Sequence, residues 1–396
     1  MAEWKKTTLE KCTDILGDGL HGTPKYTEGG EYAFINGNNL VNGEILIKKD
    51  TKRVDYSQYE KYKKPLTNRT LLVSINGTLG NVGMYNSEKI ILGKSACYFN
   101  VKEFVDKDFI YYVVSSPIFR QYLEHSATGT TIKNISLKQM REYDFLLPPI
   151  EEQKQISSVL KMIDEKIKNN RRVNDNLVAV GTASLQKNVG RGALINLTEA
   201  EMDRLTLPDG FEIQTISEFC RETKSGSTPS RTNNEYWENG TISWVKSGEV
   251  HNNITLQTEE YITPLGLSES STKLLPKDTV LMAMYGVTAG EVGYLAIEAT
   301  TNQAICGMIC NSKADAAYLY FSLIQSQAAI SRLSNGGAQD NLSKNFIDNI
   351  KIVVPPSEFI ENLNLAAIIE QMTLNTKEIA LLEEVQATAL AQLSSY

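Results

Sequence analysis

The side chains able to act on a ligand in this sequence are mostly amides and lysines set in glycine-rich turns. Their chemistry is hydrogen bonding, not bond making. His21, His125 and His251 stand apart from one another and from any evident nucleophile, and Cys12, Cys97, Cys220, Cys306 and Cys310 are scattered. Cys306 and Cys310 without a nearby histidine are too few donors for zinc and read as buried thiols. Gly77-x-x-Gly80 and Gly286-x-x-x-Gly290 lack the Lys-Ser/Thr of a phosphate-binding loop and the full dinucleotide pattern. The pairs Pro148-Pro149 and Pro355-Pro356 follow Leu147 and Val354 and precede Ile150 and Ser357, so the Asn/Asp-Pro-Pro-aromatic loop of an amino-methyltransferase is missing. No catalytic residue, metal ligand or resident cofactor is expected.

Polar and basic residues on recurring turns are the better candidates, for contact with nucleic acid. In the first half these are Lys25, Asn36, Asn38, Asn39, Asn76, Lys94, Lys133 and Asn134; in the second, Arg231, Lys246, Ser247, Tyr285, Gln303, Gln339, Asn341 and Lys344. Asn and Gln pair bidentately with adenine, and Lys reaches guanine or phosphate. Asn and Ser also cap turns, and for each residue singly the two roles weigh equally. Lys48, Lys49, Lys52, Arg53, Lys61, Lys63 and Lys64 read as a phosphate-facing stripe or a solvated face, and His21 as a DNA contact or a bystander.

These residues sit in two tandem copies of one unit, offset by about 207 to 209 positions. Gly22-Thr23-Pro24 is answered by Gly226-Ser227-Thr228-Pro229, and Tyr32-Ala33-Phe34-Ile35-Asn36-Gly37 by Ile242-Ser243-Trp244-Val245-Lys246-Ser247-Gly248. The strand, glycine turn and strand from Leu71 to Gly83 match those from Val280 to Gly293. Lys94-Ser95-Ala96 matches Asn302-Gln303-Ala304, and Thr128–Ser136 matches Asn335–Ser343. Each copy closes on an apolar strand and a double proline.

A helix must follow each double proline. Residues 151–188 contain no proline and one glycine, Gly181, while residues 358–395 contain neither. Glu151 and Glu152, then Glu358 and Glu361, suit the positive ends of the helix dipoles. Ile156, Leu160, Ile163 and Ile167 step by four, three and four, as a coiled-coil seam does, and Asn170 and Asn174 continue it. On the second helix Leu363, Ile369, Met372 and Leu381 belong to a broader apolar face that a third surface is expected to cover. At about 1.5 Å per residue, 38 residues span about 57 Å.

The expected architecture is α+β: two tandem pseudo-symmetric domains separated by two long helices in an antiparallel coiled coil. The boundaries are a first domain at 1–150, a central helix at 151–188, a linker at 189–204, a second domain at 205–357 and a C-terminal helix at 358–396.

Bulk composition adds less. No run of 18 apolar residues marks a membrane span, and no signal-peptide core opens the chain, so a cytoplasmic protein with free thiols is expected. The net charge of −7 is unusual for a DNA binder. It is unevenly spread: Lys and Arg outnumber Asp and Glu by 28 to 23 over residues 1–200 and are outnumbered 12 to 24 over residues 201–396.

Over nearly its whole length the chain resembles the specificity subunits of type I restriction–modification enzymes. The resemblance rests on Leu147-Pro148-Pro149-Ile150-Glu151-Glu152-Gln153, Gly226-Ser227-Thr228-Pro229-Ser230, Tyr236-Trp237, Trp244–Val250, Asn302–Gly307 and Gly336–Ser343. Gly17–Tyr26 and Phe34–Leu40 look like members of another recognition subtype. One departure is Ser357-Glu358-Phe359-Ile360 where the family has an acidic-Gln pair. The resemblance implies double-stranded DNA as target, a split site read by two domains, and two methyltransferase subunits docked on the chain. It also implies restriction–translocase subunits, with S-adenosylmethionine held by the methyltransferases. The rival readings are the recognition part of a fused type IIB-like enzyme, a stand-alone enzyme, and a coiled-coil scaffold.

Overall fold

The β-branched and aromatic runs Thr70–Ser74 and Ala96–Val101 form neighbouring strands buried along their whole length, because helices and a second small sheet cover them. In the second half Thr279–Ala283 and Ile305–Ile309 do the same. The computed structural model describes residues 4–129, 133–195, 201, 204–251, 254–334 and 341–393. It forms two units: Met1–Ile167 with Leu381–Tyr396, and Lys168–Ala380.

The first unit has a sheet ordered Thr13–Asp18, Ala96–Val101, Thr70–Ser74, Val82–Met84, all antiparallel. A smaller sheet places Tyr32–Ile35 between Arg53–Val54 (antiparallel) and Ile90–Leu92 (parallel). Lys5–Thr8 and Asp144–Leu147 close the unit as an antiparallel pair. The second unit repeats this plan. Its main sheet runs Glu222–Ser225, Ile305–Ile309, Thr279–Ala283, Val292–Leu295, with Ile254–Thr255 added at the edge. Ile242–Val245 lies between Glu260–Ile262 (antiparallel) and Thr300–Thr301 (parallel), and Glu212–Thr215 pairs with Lys351–Val354. Matching order, pairing and direction establish the duplication read from the sequence.

One difference has a local cause. Lys313–Ser334 is a single helix, whereas its counterpart is split into Lys107–Ser115 and Pro117–Ser126. Pro117 cannot continue the first helix, and the Ser116 hydroxyl accepts from Phe119 N to start the next.

The first long helix is Ile150–Asn188, as expected from the proline-free run. Buried Gln153 anchors its start: Nε2 donates to Pro148 O at 2.6 Å, and Oε1 accepts from Asp106 N at 2.9 Å. In the second copy Ile360 occupies that place and is buried in the apolar core. The helix expected over 358–395 is broken there, into Ser357–Asn362 and Leu365–Gln392, with Asn364 in the left-handed region at φ 54°. Leu363 therefore lies in the break, packed against the second unit's core and outside the long helix. Part of the expected linker is also structural: Leu194 N donates to Lys351 O and Val353 N to Gly192 O, both at 2.8 Å.

Each unit contains a stretch of both long helices. In the first, Leu160 shares a core with Leu390 and Leu393, Ile156 packs at its edge, and Gln386 Nε2 donates to Asp164 Oδ1 at 2.6 Å. Ile163 is half-buried and Ile167 buried. In the second, Asn170 Nδ2 donates to Glu378 Oε2 at 2.7 Å, Asn375 Nδ2 to Asn174 Oδ1 at 2.8 Å, and Asn174 Nδ2 to Thr376 Oγ1 at 3.2 Å. Rising numbers on one helix meet falling numbers on the other, so within each unit the stretches run antiparallel. Ile369 and Met372 are buried in the second unit. Leu381 is not a seam residue: it is 60% exposed, because the steps of three and four from Met372 fall on Ile379 and Leu382 instead. No described helix is long and apolar enough to cross a membrane.

Gly181 tests the packing of the first long helix. Alanine would raise helix propensity by about 1 kcal/mol, but a Cβ there would stand 2.3 Å from Cε1 of the fully buried Phe321 ring. We expect Gly181→Ala to cost a net of about 1–3 kcal/mol through overpacking, read as a lower urea midpoint. Adding Phe321→Leu should cost less than the two changes summed. An unchanged midpoint in the single variant would refute the close packing.

Candidate nucleic-acid interface

Most of the candidate side chains lie on turns between strands, Lys344 opening a short helix instead, and main-chain hydrogen bonds gather several of those turns at one end of each unit. In the first unit Ile75 N donates to Ser95 O at 2.9 Å, Ile135 N to Ile75 O at 2.9 Å, and Gly93 N to Ile35 O at 2.8 Å. In the second, Met284 N donates to Ala304 O at 2.8 Å, Leu342 N to Met284 O at 2.8 Å, and Asn302 N to Val245 O at 3.0 Å. The bonds are equivalent under the repeat. They bring residues 36–39, 75–81, 93–95 and 133–135 together in one copy, and 246–249, 284–291, 302–304 and 341–342 together in the other.

Several candidates in the first unit are committed to holding these turns. Asn39 is buried; its Oδ1 accepts from Asn36 N at 3.0 Å and its Nδ2 donates to Leu46 O at 2.9 Å. Asn36 Oδ1 accepts from the Ser95 hydroxyl at 3.1 Å, and the same hydroxyl accepts from Gly37 N. Asn76 Nδ2 donates to Asn134 Oδ1 at 3.0 Å, tying the glycine turn to the segment after Gly129. Asn38, Lys25, Lys94 and Lys133 are exposed; Lys25 acts on the Asp55 carboxylate, and among the described residues Lys94 and Lys133 form no ion pair.

The second unit uses charge where the first uses amides. Arg231 pairs with Glu260, and its guanidinium lies 3.7 Å from the Trp237 ring centre and 4.8 Å from that of Trp244. Lys246 Nζ lies 2.6 Å from Glu259 Oε2 and 3.2 Å from Glu260 Oε1. The hydrogen bond from Arg231, then that from Lys246, holds the Glu260 carboxyl below its ordinary range, and the bond to Glu259 raises Lys246. Lys344 Nζ reaches Asp348 Oδ2 at 2.5 Å and Thr223 Oγ1 at 2.7 Å, binding a short helix to a strand. Gln303 Oε1 accepts from Thr228 Oγ1 at 2.5 Å, Ser247 is half-buried, and Tyr285 and Asn341 are exposed. Gln339 and the matched stretches 130–132 and 335–340 lie outside the described residues.

The partners Ser95, Glu259 and Glu260 carry no signal in the sequence. Only the aromatic pair Trp237 and Trp244 hints at a seat for Arg231. His21 pairs with Asp18, and His251 Nδ1 lies 2.7 Å from Glu291 Oε2. All five cysteines are free and buried, and burial pushes the Cys306 thiol up to about 12, which keeps it protonated and unreactive.

Comparison with known proteins agrees with this architecture. The chain matches the family model for the type I restriction modification DNA specificity domain twice, over residues 1–178 and 208–386. It is 21% identical to the type I restriction enzyme MjaIX specificity subunit of Methanocaldococcus jannaschii, across 99% of this chain and 92% of that one. The EcoR124I/EcoR124II specificity subunit of Escherichia coli is 26% identical across 43% of this chain and 41% of its own. In fold the chain is similar to the crystal structure of a type I restriction–modification system S subunit from M. genitalium, with a TM-score of 0.56 and 20% identity, covering 100% and 96% of the two chains.

Neighbouring amides separate scaffold from surface. Asn39→Ala removes two hydrogen bonds at a buried turn and should cost about 1–3 kcal/mol, whereas Asn38→Ala, one residue away and exposed, should stay within about 0.5 kcal/mol. Urea denaturation of the purified chain checks both. Equal effects would mean that the turn does not depend on the buried amide.

Proposed function

This chain belongs to the type I restriction–modification DNA specificity family, and from that premise we propose that it reads a bipartite, asymmetric DNA site, one half-site per unit. The observation that carries this reading is the equivalence of the main-chain bonds that assemble the same turns in both units, while the side chains on those turns differ. A shared scaffold with different donors and acceptors suits two different base sequences. In the first unit Asn38 and the exposed lysines Lys25, Lys94 and Lys133 are the contacts we favour, the lysines supplying phosphate neutralisation that the acidic second half supplies poorly. In the second, Arg231, Tyr285, Gln303 and Asn341 are favoured.

The chain performs no chemistry in this reading. Two methyltransferase subunits dock on it, hold S-adenosylmethionine and flip the target adenine, and restriction–translocase subunits join for cleavage. The stiff paired helices set the length of the unread spacer between half-sites. The complex works on DNA in the cytoplasm. The fused type IIB-like alternative is not favoured, because the relative that matches almost end to end is named a specificity subunit.

Mapping methylated adenines across the genome of a host that expresses this chain with the methyltransferase subunit of the same system tests the proposal. The expected result is one two-part motif that appears only when the chain is present, with unlike halves. A Tyr285→Ala, Gln303→Ala, Asn341→Ala triple variant should relax one half and leave the other intact. Methylation that ignores the presence of the chain would overturn the reading.

A further inference from the structure

The glycine turn of the second unit holds an apolar side chain fully in solvent on a rigid frame. Val287 is 104% exposed, while the two residues that follow it, Thr288 and Ala289, are buried. The frame is a short 3-10 turn, Gly286–Thr288, between the strands Thr279–Ala283 and Val292–Leu295. Ala289 N donates to Gly286 O at 3.1 Å, Gly290 N to Ala283 O at 2.8 Å and Glu291 N to Thr288 O at 2.8 Å, and Ser331 Oγ donates to Ala289 O at 3.3 Å. Gly286 and Gly290 take φ of 74° and 87°, which side chains disfavour, and a Cβ at Gly290 would meet Ser331 Oγ at 2.7 Å. Among the described residues the valine packs against nothing, being wholly exposed: a serine or asparagine at that tip would satisfy the turn equally and avoid exposing a hydrocarbon.

The turn belongs to the gathered cluster, through Met284, Ala304 and Leu342 and through the bridge of Tyr285 to Asn341. In the first unit the equivalent turn runs between Gly77 and Gly80, both with φ of 77°, and presents exposed Thr78, another side chain carrying a methyl group. Among the described residues, the exposed side chains beside Val287 in the cluster, Tyr285 and Asn341, are aromatic and polar, so they and the valine do not make a protein-sized apolar patch. Among the base edges of a duplex, the major groove offers one apolar feature, the thymine C5-methyl.

We infer that Val287 is a specificity-determining residue that reads a thymine by packing against its 5-methyl group in the half-site of the second unit. This rests on the DNA-reading function proposed above and adds the class of contact and its base. Gly286 lets the backbone approach closely, and the fixed turn means that little freedom is lost on binding.

The test uses the complex of the full chain with its methyltransferase subunits, and duplexes bearing the mapped site with each thymine replaced in turn by deoxyuridine, which lacks only the methyl. Wild-type complex should lose roughly three- to ten-fold in affinity at one position of one half-site, the scale of a lost methyl contact. Val287→Ser should bind the unmodified site weaker by a similar factor and be indifferent to deoxyuridine at that position, with its melting temperature and complex assembly unchanged. An equal deoxyuridine penalty in wild type and variant, or no sensitive thymine at all, would overturn the inference and leave DNA reading intact. Failure of Val287→Ser to assemble with the methyltransferase would overturn it in favour of a protein contact. A wild-type complex with no site preference would sink the DNA-reading proposal itself.

Discussion

Three main-chain hydrogen bonds, made twice, are the constraint from which the rest of each unit follows. The central strand donates from its end, at Ile75 or Met284, to the turn before the next strand, at Ser95 or Ala304. The carbonyl of that same residue accepts from the closing segment, at Ile135 or Leu342, and the small sheet is tied in through Gly93 to Ile35 or Asn302 to Val245. Main-chain groups cannot be mutated away and are costly to leave unpaired where strands are buried on both faces. The turns are therefore held together whatever side chains they carry. Such a frame can be duplicated and then diverge at its surface without losing its shape.

The two copies have diverged in kind. At the equivalent turn, Asn39 accepts from the main chain in one unit and Glu249 does so in the other, from Lys246 N at 2.7 Å. The carboxylate in the second unit comes with companions, Glu259 and Glu260, that absorb the charges of Lys246 and Arg231. In the first unit Lys94 and Lys133, on the equivalent turns, face solvent, while lysines elsewhere, such as Lys63 and Lys89, are paired with carboxylates. Glu249, Glu259 and Glu260 are part of the acidic excess of residues 201–396, 24 carboxylates against 12 cations, which the net −7 hides.

The paired helices show how far pattern reading reaches. Leu160 and Ile167 are buried, as their spacing indicates, and Asn170 and Asn174 make amide hydrogen bonds to the other long helix. Those bonds hold register in a way leucines would not, since an amide one turn out of place would be buried without a partner. On the second helix the apolar residues are too numerous to reveal which face packs, and Leu381 proves to be exposed. The break at Leu363–Asn364 follows from a left-handed asparagine that propensity alone does not announce.

Among the candidate contacts, spacing alone identified the turns but not the roles of their residues. Asn36, Asn39, Asn76 and Asn134 share a residue type with Asn38, yet four bind within the fold and one faces solvent. By itself the sequence determined the duplication and the first long helix, because those are written in local period and in repetition along the chain. The tertiary structure alone decided which amide is scaffold, which cation is neutralised and which apolar side chain is left at a tip. Such choices hang on contacts between residues far apart in the chain, as Asn76 and Asn134 are at 58 positions, and these contacts exist only once the strands between them have paired.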